Sequence, residues 1–319
     1  MPTWDVTSFG ESMLRLSVPA GERLEAADSL RVETAGAESN VCAALAQLGW
    51  KTAWASRVPD NPLGRRIVNS LRELGVDTSL VAHVPGERLG LNFVEFSVPP
   101  RPTEVIYDRA NSSAAAMSPD QLPWPDLLNT RLLHLTGITA ALSESAFACV
   151  AEARKRAAEA GVPVSFDINY RSRLWSVESA RDGLLRLAQQ ADMLFCKLDD
   201  AQLLFGVAGD HKQIVRRLAG LFGVPMVVMT CGAHGVYGLQ GDEVEHVPAR
   251  KVTILDRIGA GDAMSAGVLH GWLKGNFALG LRAGTTLAAL ALSQHGDMVR
   301  THPAEFEALL DMSDTMIRR

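Results

Sequence analysis

At 319 residues, with 31 Lys and Arg against 36 Asp and Glu, the chain is long enough to bury a substantial core. A formal net charge of −5 with no basic cluster argues against nucleic acid as the main partner, and no uninterrupted apolar run approaches membrane-spanning length. Cys42, Cys149, Cys196 and Cys231 are scattered, and neither they nor the eight histidines have metal-ligand spacing. Reduced, mostly buried thiols in a cytoplasmic protein without a structural metal are therefore expected.

Apolar, strand-like runs then alternate with amphipathic helices along the chain. Thr3 to Phe9 reads as a strand rather than a secretory leader, because no basic region and long apolar stretch stand there. Strands are predicted at Asp5–Phe9, Thr52–Arg57, Leu132–Thr136, Val162–Asp167, Met193–Cys196 and Met226–Thr230. Helices are predicted at Asn40–Leu48, Leu63–Leu74, Ser145–Ala160, Glu178–Gln190, His211–Phe222 and Asp262–Leu273. Gly49, Gly75, Gly161 and Gly223 each follow a helix end, where a left-handed cap is expected. The alternation implies an α/β fold with a mainly parallel sheet covered on both faces.

The segment from about Val76 to Arg109 breaks the rhythm. Thr78–His83, Leu89–Phe96 and Glu104–Tyr107 read as short strands with turns at Pro85-Gly86 and Pro99-Pro100, an insertion suited to a lid or a dimer clasp. Leu91, Phe93, Phe96 and Val98 cannot all face one pocket, which suggests a homodimer through the lid; a lid covered by its own domain is the alternative. No repeat or long linker divides the chain, so residues 1–319 are expected to form one catalytic unit.

The chemistry concentrates in Asp256-Arg257-Ile258-Gly259-Ala260-Gly261-Asp262-Ala263, between a predicted buried strand at Val252–Leu255 and a helix. A small-residue turn entering a helix presents unpaired N–H groups at the positive end of the helix dipole, which suits a phosphate. Asp262 adds a carboxylate where a hydroxyl could lose its proton, and the pair suggests phosphoryl transfer; the alternative is an Asp that only stabilises a helix start. Met264 stands where a dinucleotide fingerprint needs a third small residue, and no G-x-x-x-x-G-K-[ST] is present.

Three further stretches join this one: Ala35-Gly36-Ala37-Glu38-Ser39-Asn40 before a helix, Phe166-Asp167-Ile168-Asn169-Tyr170-Arg171 at a strand end, and Thr230-Cys231-Gly232-Ala233-His234-Gly235 after a strand. In that order and spacing they resemble the ribokinase (PfkB-type) family of carbohydrate kinases over essentially the whole chain. Gly36–Asn40, Tyr107-Asp108-Arg109 and Asn169–Arg171 resemble most its 2-keto-3-deoxygluconate kinases. The resemblance implies a ribokinase-like three-layer α/β/α sandwich with a small β-sheet lid, and an ATP-dependent kinase acting on the terminal hydroxyl of a keto-deoxy sugar acid. It also implies roles. Asp262 is the base, and the amides of Gly259, Ala260 and Gly261 receive the transferred group. Gly36, Ala37, Glu38, Asn40, Tyr107, Arg109, Arg171 and Asp297 bind the sugar. Asn169, Lys197, Thr230, Gly232, Gly235, Gly259 and Gly261 serve the nucleotide, with the Gly284–Leu292 helix near the adenine.

Alternatives stand beside several of these roles. Asn40 has a cap as its other reading, and Arg171 a salt bridge to Asp167 or Glu38. Arg257 replaces a Thr common in relatives, near a monovalent-cation site, and leaves any cation requirement open. Lys197-Leu198-Asp199-Asp200 replaces an N-x-x-E motif tied to Mg²⁺ and phosphate; Mg²⁺ is still expected with ATP. A kinase for a neutral sugar or nucleoside, and a sugar-binding member without turnover, are the competing functions.

Overall fold

The computed structural model describes residues 2–98 and 100–311. Its main sheet takes nine strands: β1 (Val6–Phe9), β4 (Thr52–Pro59), β5 (Val81–Val84), β8 (Leu133–Thr136), β9 (Val164–Asp167), β10 (Met193–Lys197), β11 (Met226–Thr230), β12 (Val236–Gln240) and β13 (Glu243–Val247). Their spatial order is β13-β12-β11-β10-β9-β8-β1-β4-β5, parallel except for the β11–β12 and β12–β13 pairs. A second, four-stranded sheet orders β3 (Arg31–Ala35), β2 (Met13–Val18), β6 (Leu91–Glu95) and β7 (Glu104–Asp108).

The parallel strands bury both faces, and successive side chains serve opposite layers. Leu194 and Cys196 of β10, with Val227 and Met229 of β11, pack under helices α3 (Glu144–Ala160), α4 (Val177–Ala188), α5 (Leu198–Phe205) and α6 (His211–Phe222). Met193 and Phe195, with Met226 and Val228, pack on the other face under α1 (Ala37–Gln47), α7 (Ala260–Leu273) and α8 (Phe277–Leu292). Helix α2 (Pro62–Glu73) closes a third cluster around Trp54. This is the expected three-layer α/β/α sandwich. Each fully buried Leu, Val or Phe side chain contributes on the order of 1.5–3 kcal/mol.

Chain signals set the ends of the helices. Ser143 accepts from the Ala146 N–H at 3.0 Å to start α3, and Asp210 forms a capping box with Gln213 before α6. Gly49, Gly75, Gly161 and Gly223 all take positive φ where the helices end. All four cysteines are buried and free.

Three expectations are corrected. Val252–Leu255 is not a strand: Ile254 and Leu255 are 41% and 49% exposed, and the Leu255 N–H bonds the Leu292 carbonyl rather than a neighbouring strand. The strand expected at Thr78–His83 forms at Val81–Val84 and pairs with β4, extending the main sheet instead of the lid. The lid draws its other two strands, β2 and β3, from before residue 36. Pro99, in the second predicted lid turn, lies outside the described residues.

Helices α7 and α8 pack at backbone contact. A Cβ on Gly267 would overlap Gly284, and one on Gly271 would overlap Gly280. Alanine normally gains about 0.8–1 kcal/mol over glycine inside a helix. Here the sign should reverse: Gly271→Ala is expected to lose about 1–3 kcal/mol to overpacking, read as a lower urea midpoint at unchanged m-value.

Candidate active site

The C-terminal ends of β9, β10 and β11, the N-termini of α1 and α7, and the inner face of the lid enclose a cavity of about 320 Å³. In an open parallel sheet this edge is where ligands bind. Gly36, Ala37, Glu38, Asn40, Tyr107, Arg109, Asn169, Arg171, Lys197, Thr230, Gly259, Gly261, Asp262 and Asp297 all line it, so segments far apart in the chain meet as expected. Ala260, Gly232 and Gly235 do not line it: Ala260 sits behind the turn as the first residue of α7, Gly232 opens the one-turn helix after β11, and Gly235 caps its end.

Helix α7 begins at Ala260 with Gly259 as its cap, at φ 84°. A side chain at 259 is barred twice, by that left-handed backbone and by the Asp297 carbonyl against which it would press. Gly261 meets nothing within 4 Å, so its face is open to the cavity. Asp262 stands in the first turn and accepts from Asn40 Nδ2 at 2.7 Å. Burial pushes its carboxyl up to about 6; Asn40, Arg171 and Lys197 pull it down, and Asp167 adds to the rise.

Asn40 is not a cap. Helix α1 is capped by Gly36, and Asn40 lies a turn inside it, bridging Asp262 and, weakly at 3.4 Å, the Gly36 N–H. Gly36 leaves no room for a side chain: a Cβ there would strike the Glu11 carbonyl and the Ser12 and Ser39 hydroxyls. Glu38 turns into the sheet, accepting from Thr136 at 2.6 Å and Thr139 at 2.5 Å, and burial pushes it up to about 7.

The two expected carboxylate-binding arginines differ. Arg171 donates to the Tyr170 carbonyl at 2.9 Å and, among the described residues, makes no ion pair with Asp167 or Glu38. Arg109 is engaged: its Nε donates to Glu11 at 2.8 Å, its Nη2 donates to the same oxygen, and Ser112 holds the other. Asp297 is engaged too, by the buried guanidinium of Arg15, which also pairs with Asp256. Burial pushes Asp297 up to about 7 against the pull of Arg15.

At the end of β9, Asn169 takes φ 41° and its N–H bonds the Asp167 carboxylate at 3.0 Å. Burial raises Asp167 to about 6, with Lys197 and Arg171 opposing. One oxygen each of Asn169 and Asp200 is buried without a hydrogen-bond partner. Sequence reasoning missed Glu11, Arg15, Thr136 and Thr139, and assigned Asp256 no role. The one available signal was an arginine at the centre of the alternating run Met13-Leu14-Arg15-Leu16-Ser17-Val18.

Comparison with known proteins bears on this geometry. Residues 4–303 match the model of the pfkB family carbohydrate kinases. The chain is 39% identical over 318 residues to the 2-dehydro-3-deoxygalactonokinase of Haloferax volcanii, covering 99% of this chain and 100% of that one. It is 32% identical to the 2-dehydro-3-deoxygluconokinase of Thermoproteus tenax, covering 96% and 94%. The crystal structure of the 2-dehydro-3-deoxygluconokinase from Thermotoga maritima superposes with a TM-score of 0.91 at 30% identity, over 97% of this chain and 100% of that one.

The site's electrostatics can be checked without turnover. Carboxyl titration by NMR of the free protein should place Asp262 near 6. Asn40→Ala should move it upward, because it removes a donor that favours the charged form; Lys197→Met should do the same by removing a cation. A downward shift in either variant would contradict this account.

Proposed function

The chain belongs to the pfkB family of carbohydrate kinases, and from that membership we propose that it transfers the γ-phosphoryl group of ATP to the terminal hydroxyl of 2-keto-3-deoxygluconate, its galactonate epimer or a close sugar acid. The observation that carries this reading is a single cavity in which Asp262, at an amide-lined helix start, shares space with Arg171, an arginine without a carboxylate partner among the described residues. Names of relatives that act on such acids support it. Arg171 receives the sugar carboxylate bidentately, a contact neutral sugars cannot make. Gly36, Ala37 and Glu38 shape the wall behind the sugar, and Tyr107 and Arg109 meet it from the lid.

Asn40 fixes the Asp262 carboxylate so that its free lone pairs face the substrate hydroxyl. As the hydroxyl oxygen bonds to the γ-phosphorus and the bond to the departing ADP breaks, the hydroxyl proton passes to Asp262. The amides of Gly259, Ala260 and Gly261 take the charge on the transferred group; one such preorganised donor contributes roughly 2.7–4 kcal/mol in other enzymes. Lys197 offsets phosphate charge at the end of β10, and Thr230, Gly232 and Gly235 form the nucleotide turn. Mg²⁺ bound with ATP supplies positive charge among the phosphates. The unpartnered oxygens of Asn169 and Asp200 are the hard donors that would hold it, directly or through water, and Mg²⁺ typically takes only one or two protein carboxylates.

The engagement of Arg109 by Glu11 favours a second reading, a neutral-sugar kinase, because it leaves one arginine for a carboxylate. A turnover panel with MgATP separates the two: activity is expected with 2-keto-3-deoxygluconate or 2-keto-3-deoxygalactonate and not with fructose, ribose or adenosine. Asp262→Asn should lower kcat by about 100- to 10,000-fold while sugar binding by calorimetry persists. Arg171→Met should raise KM for the acids; an equal effect on a neutral sugar would overturn its role. The acid limb of kcat/KM should fall as pH drops through about 6, where Asp262 takes up a proton and ceases to be a base.

The enzyme is further proposed to be cytoplasmic and dimeric through its lid. Val98 and Ile106 are 58% and 48% exposed there, and among the described residues no helix is long and apolar enough to cross a membrane. Light scattering should return twice the 34.3 kDa chain mass; a single-chain mass rejects the dimer.

A further inference from the structure

Arg15 belongs to no motif, yet it occupies the junction of every part of the site. It lies at the centre of β2, in the lid, and is 0% exposed. Its two terminal nitrogens are taken by carboxylates from far along the chain, Nη1 by Asp297 and Nη2 by Asp256. Its guanidinium carbon stands 4.9 Å from the ring centre of Phe96, and its Nε lies 3.9 Å from Glu33. Asp256 in turn holds two turns at once. One oxygen accepts the Ile258 N–H at 3.0 Å, at the entrance to the phosphate turn, and the other accepts the Gly296 N–H at 3.2 Å. The two turns also touch, since the Asp297 carbonyl lies against Gly259.

From this arrangement we propose that Arg15 is a positioning residue for phosphoryl transfer: acting from the lid through Asp256 and Asp297, it fixes the Ile258–Gly261 turn whose amides receive the transferred group. The proposal rests on the kinase reading of the site. Direct substrate binding is a poor fit, because both terminal nitrogens are spent on buried carboxylates. A purely structural bolt would not need to reach the start of the phosphate turn.

The physics gives Arg15 a role that an apolar residue could not fill. Each of the two buried carboxylates accepts a charge-assisted hydrogen bond from the one guanidinium, which fixes its orientation. Without the guanidinium Asp256 would lose the contact that orients the oxygens holding the Ile258 and Gly296 amides. Other titratable groups face the cluster: the carboxyls of Glu33 from β3 and Asp262 from α7, and His295, which stands against Phe96. Removing Arg15 should also raise Asp297 further, because the guanidinium's pull on it is lost.

The test compares full-length wild type, Arg15→Met and Arg15→Lys by hydrogen exchange and by kinetics with MgATP and keto-deoxy acid. In Arg15→Met, exchange should accelerate at amides 258–261 and 296–297 and stay native in the strands of the main sheet. Its kcat should fall by about 100-fold or more, the loss seen when an anion-stabilising donor is displaced, with sugar KM within about threefold. The acid limb of its pH–rate profile should move to higher pH than in wild type. Arg15→Lys keeps the charge and should recover part of both kcat and the native profile. Native exchange in the two turns would overturn the proposal. So would a raised sugar KM at native kcat, which would make Arg15 a substrate contact, or equal losses in both variants with exchange raised throughout, which would make it a bolt. If wild type turns over no keto-deoxy acid, the functional reading fails, while the exchange pattern still decides whether Arg15 fixes the turn.

Discussion

The active-site end of the molecule depends on how helix α7 is seated. From Ala263 to Gly271 every residue is buried, so this helix has no solvent face and only its N-terminus opens outward. It approaches α8 to backbone contact through Gly267 against Gly284 and Gly271 against Gly280, which leaves no freedom to slide. A rigidly held helix whose first turn faces a cavity is a fixed array of N–H donors, and fixed donors cost no reorganisation when charge develops in front of them. The position of Asp262 follows from the same seating, because the carboxylate rises from the first turn of that helix and is steadied by Asn40, a turn inside α1.

Charge balance then shapes the cavity. Glu11, Glu38, Asp167, Asp262 and Asp297 all line it, and burial raises Glu38, Asp167, Asp262 and Asp297. Two of these five acids have guanidinium partners: Glu11 has Arg109 and Asp297 has Arg15. Lys197 and Arg171 are left to face the remainder at longer range, lowering Asp167 and Asp262 without pairing to either. Such cations are available to a ligand. A buried pair broken on one side leaves an uncompensated charge at a cost of about 3–5 kcal/mol, so Arg15 and Arg109 are far harder to recruit than Arg171.

Much of this was legible in the chain. The parallel strands were readable because both their faces are buried, which leaves uninterrupted apolar runs, and because glycines with positive φ mark the helix ends. The phosphate turn, Asn40 and Arg171 were readable because each sits in a short contiguous motif. The lid was misread in part because lid strands carry polar residues inward: Arg15 and Ser17 are buried on β2, where an apolar alternation would be the usual strand signal. Val252–Leu255 shows the converse error, an apolar run of strand length with no sheet edge to pair with. The Arg15 cluster could not be read at all, since its partners lie 241 and 282 residues away and only the folded chain brings them together.

The join between lid and core sharpens the argument about substrate class. It is built from charge: the Glu11 carboxylate, in the short link between β1 and β2, gathers Arg109 and Ser112 at the far end of the lid, and Gly90 passes against it where a side chain would not fit. A neutral ligand has nothing to offer Arg109 that matches Glu11, because a hydroxyl would replace a two-donor, charge-assisted contact with a weaker neutral one. A ligand carboxylate matches the charge of the partner Arg109 would give up, at the cost of leaving Glu11 without its cation. Within a cavity where Arg171 already waits unpaired, a sugar acid can therefore engage the core first and compete for the lid arginine second. The order follows from the partners each arginine holds in the free protein. It also makes the Glu11–Arg109 pair compatible with acid-sugar selectivity, although it reduces the number of cations free at the outset.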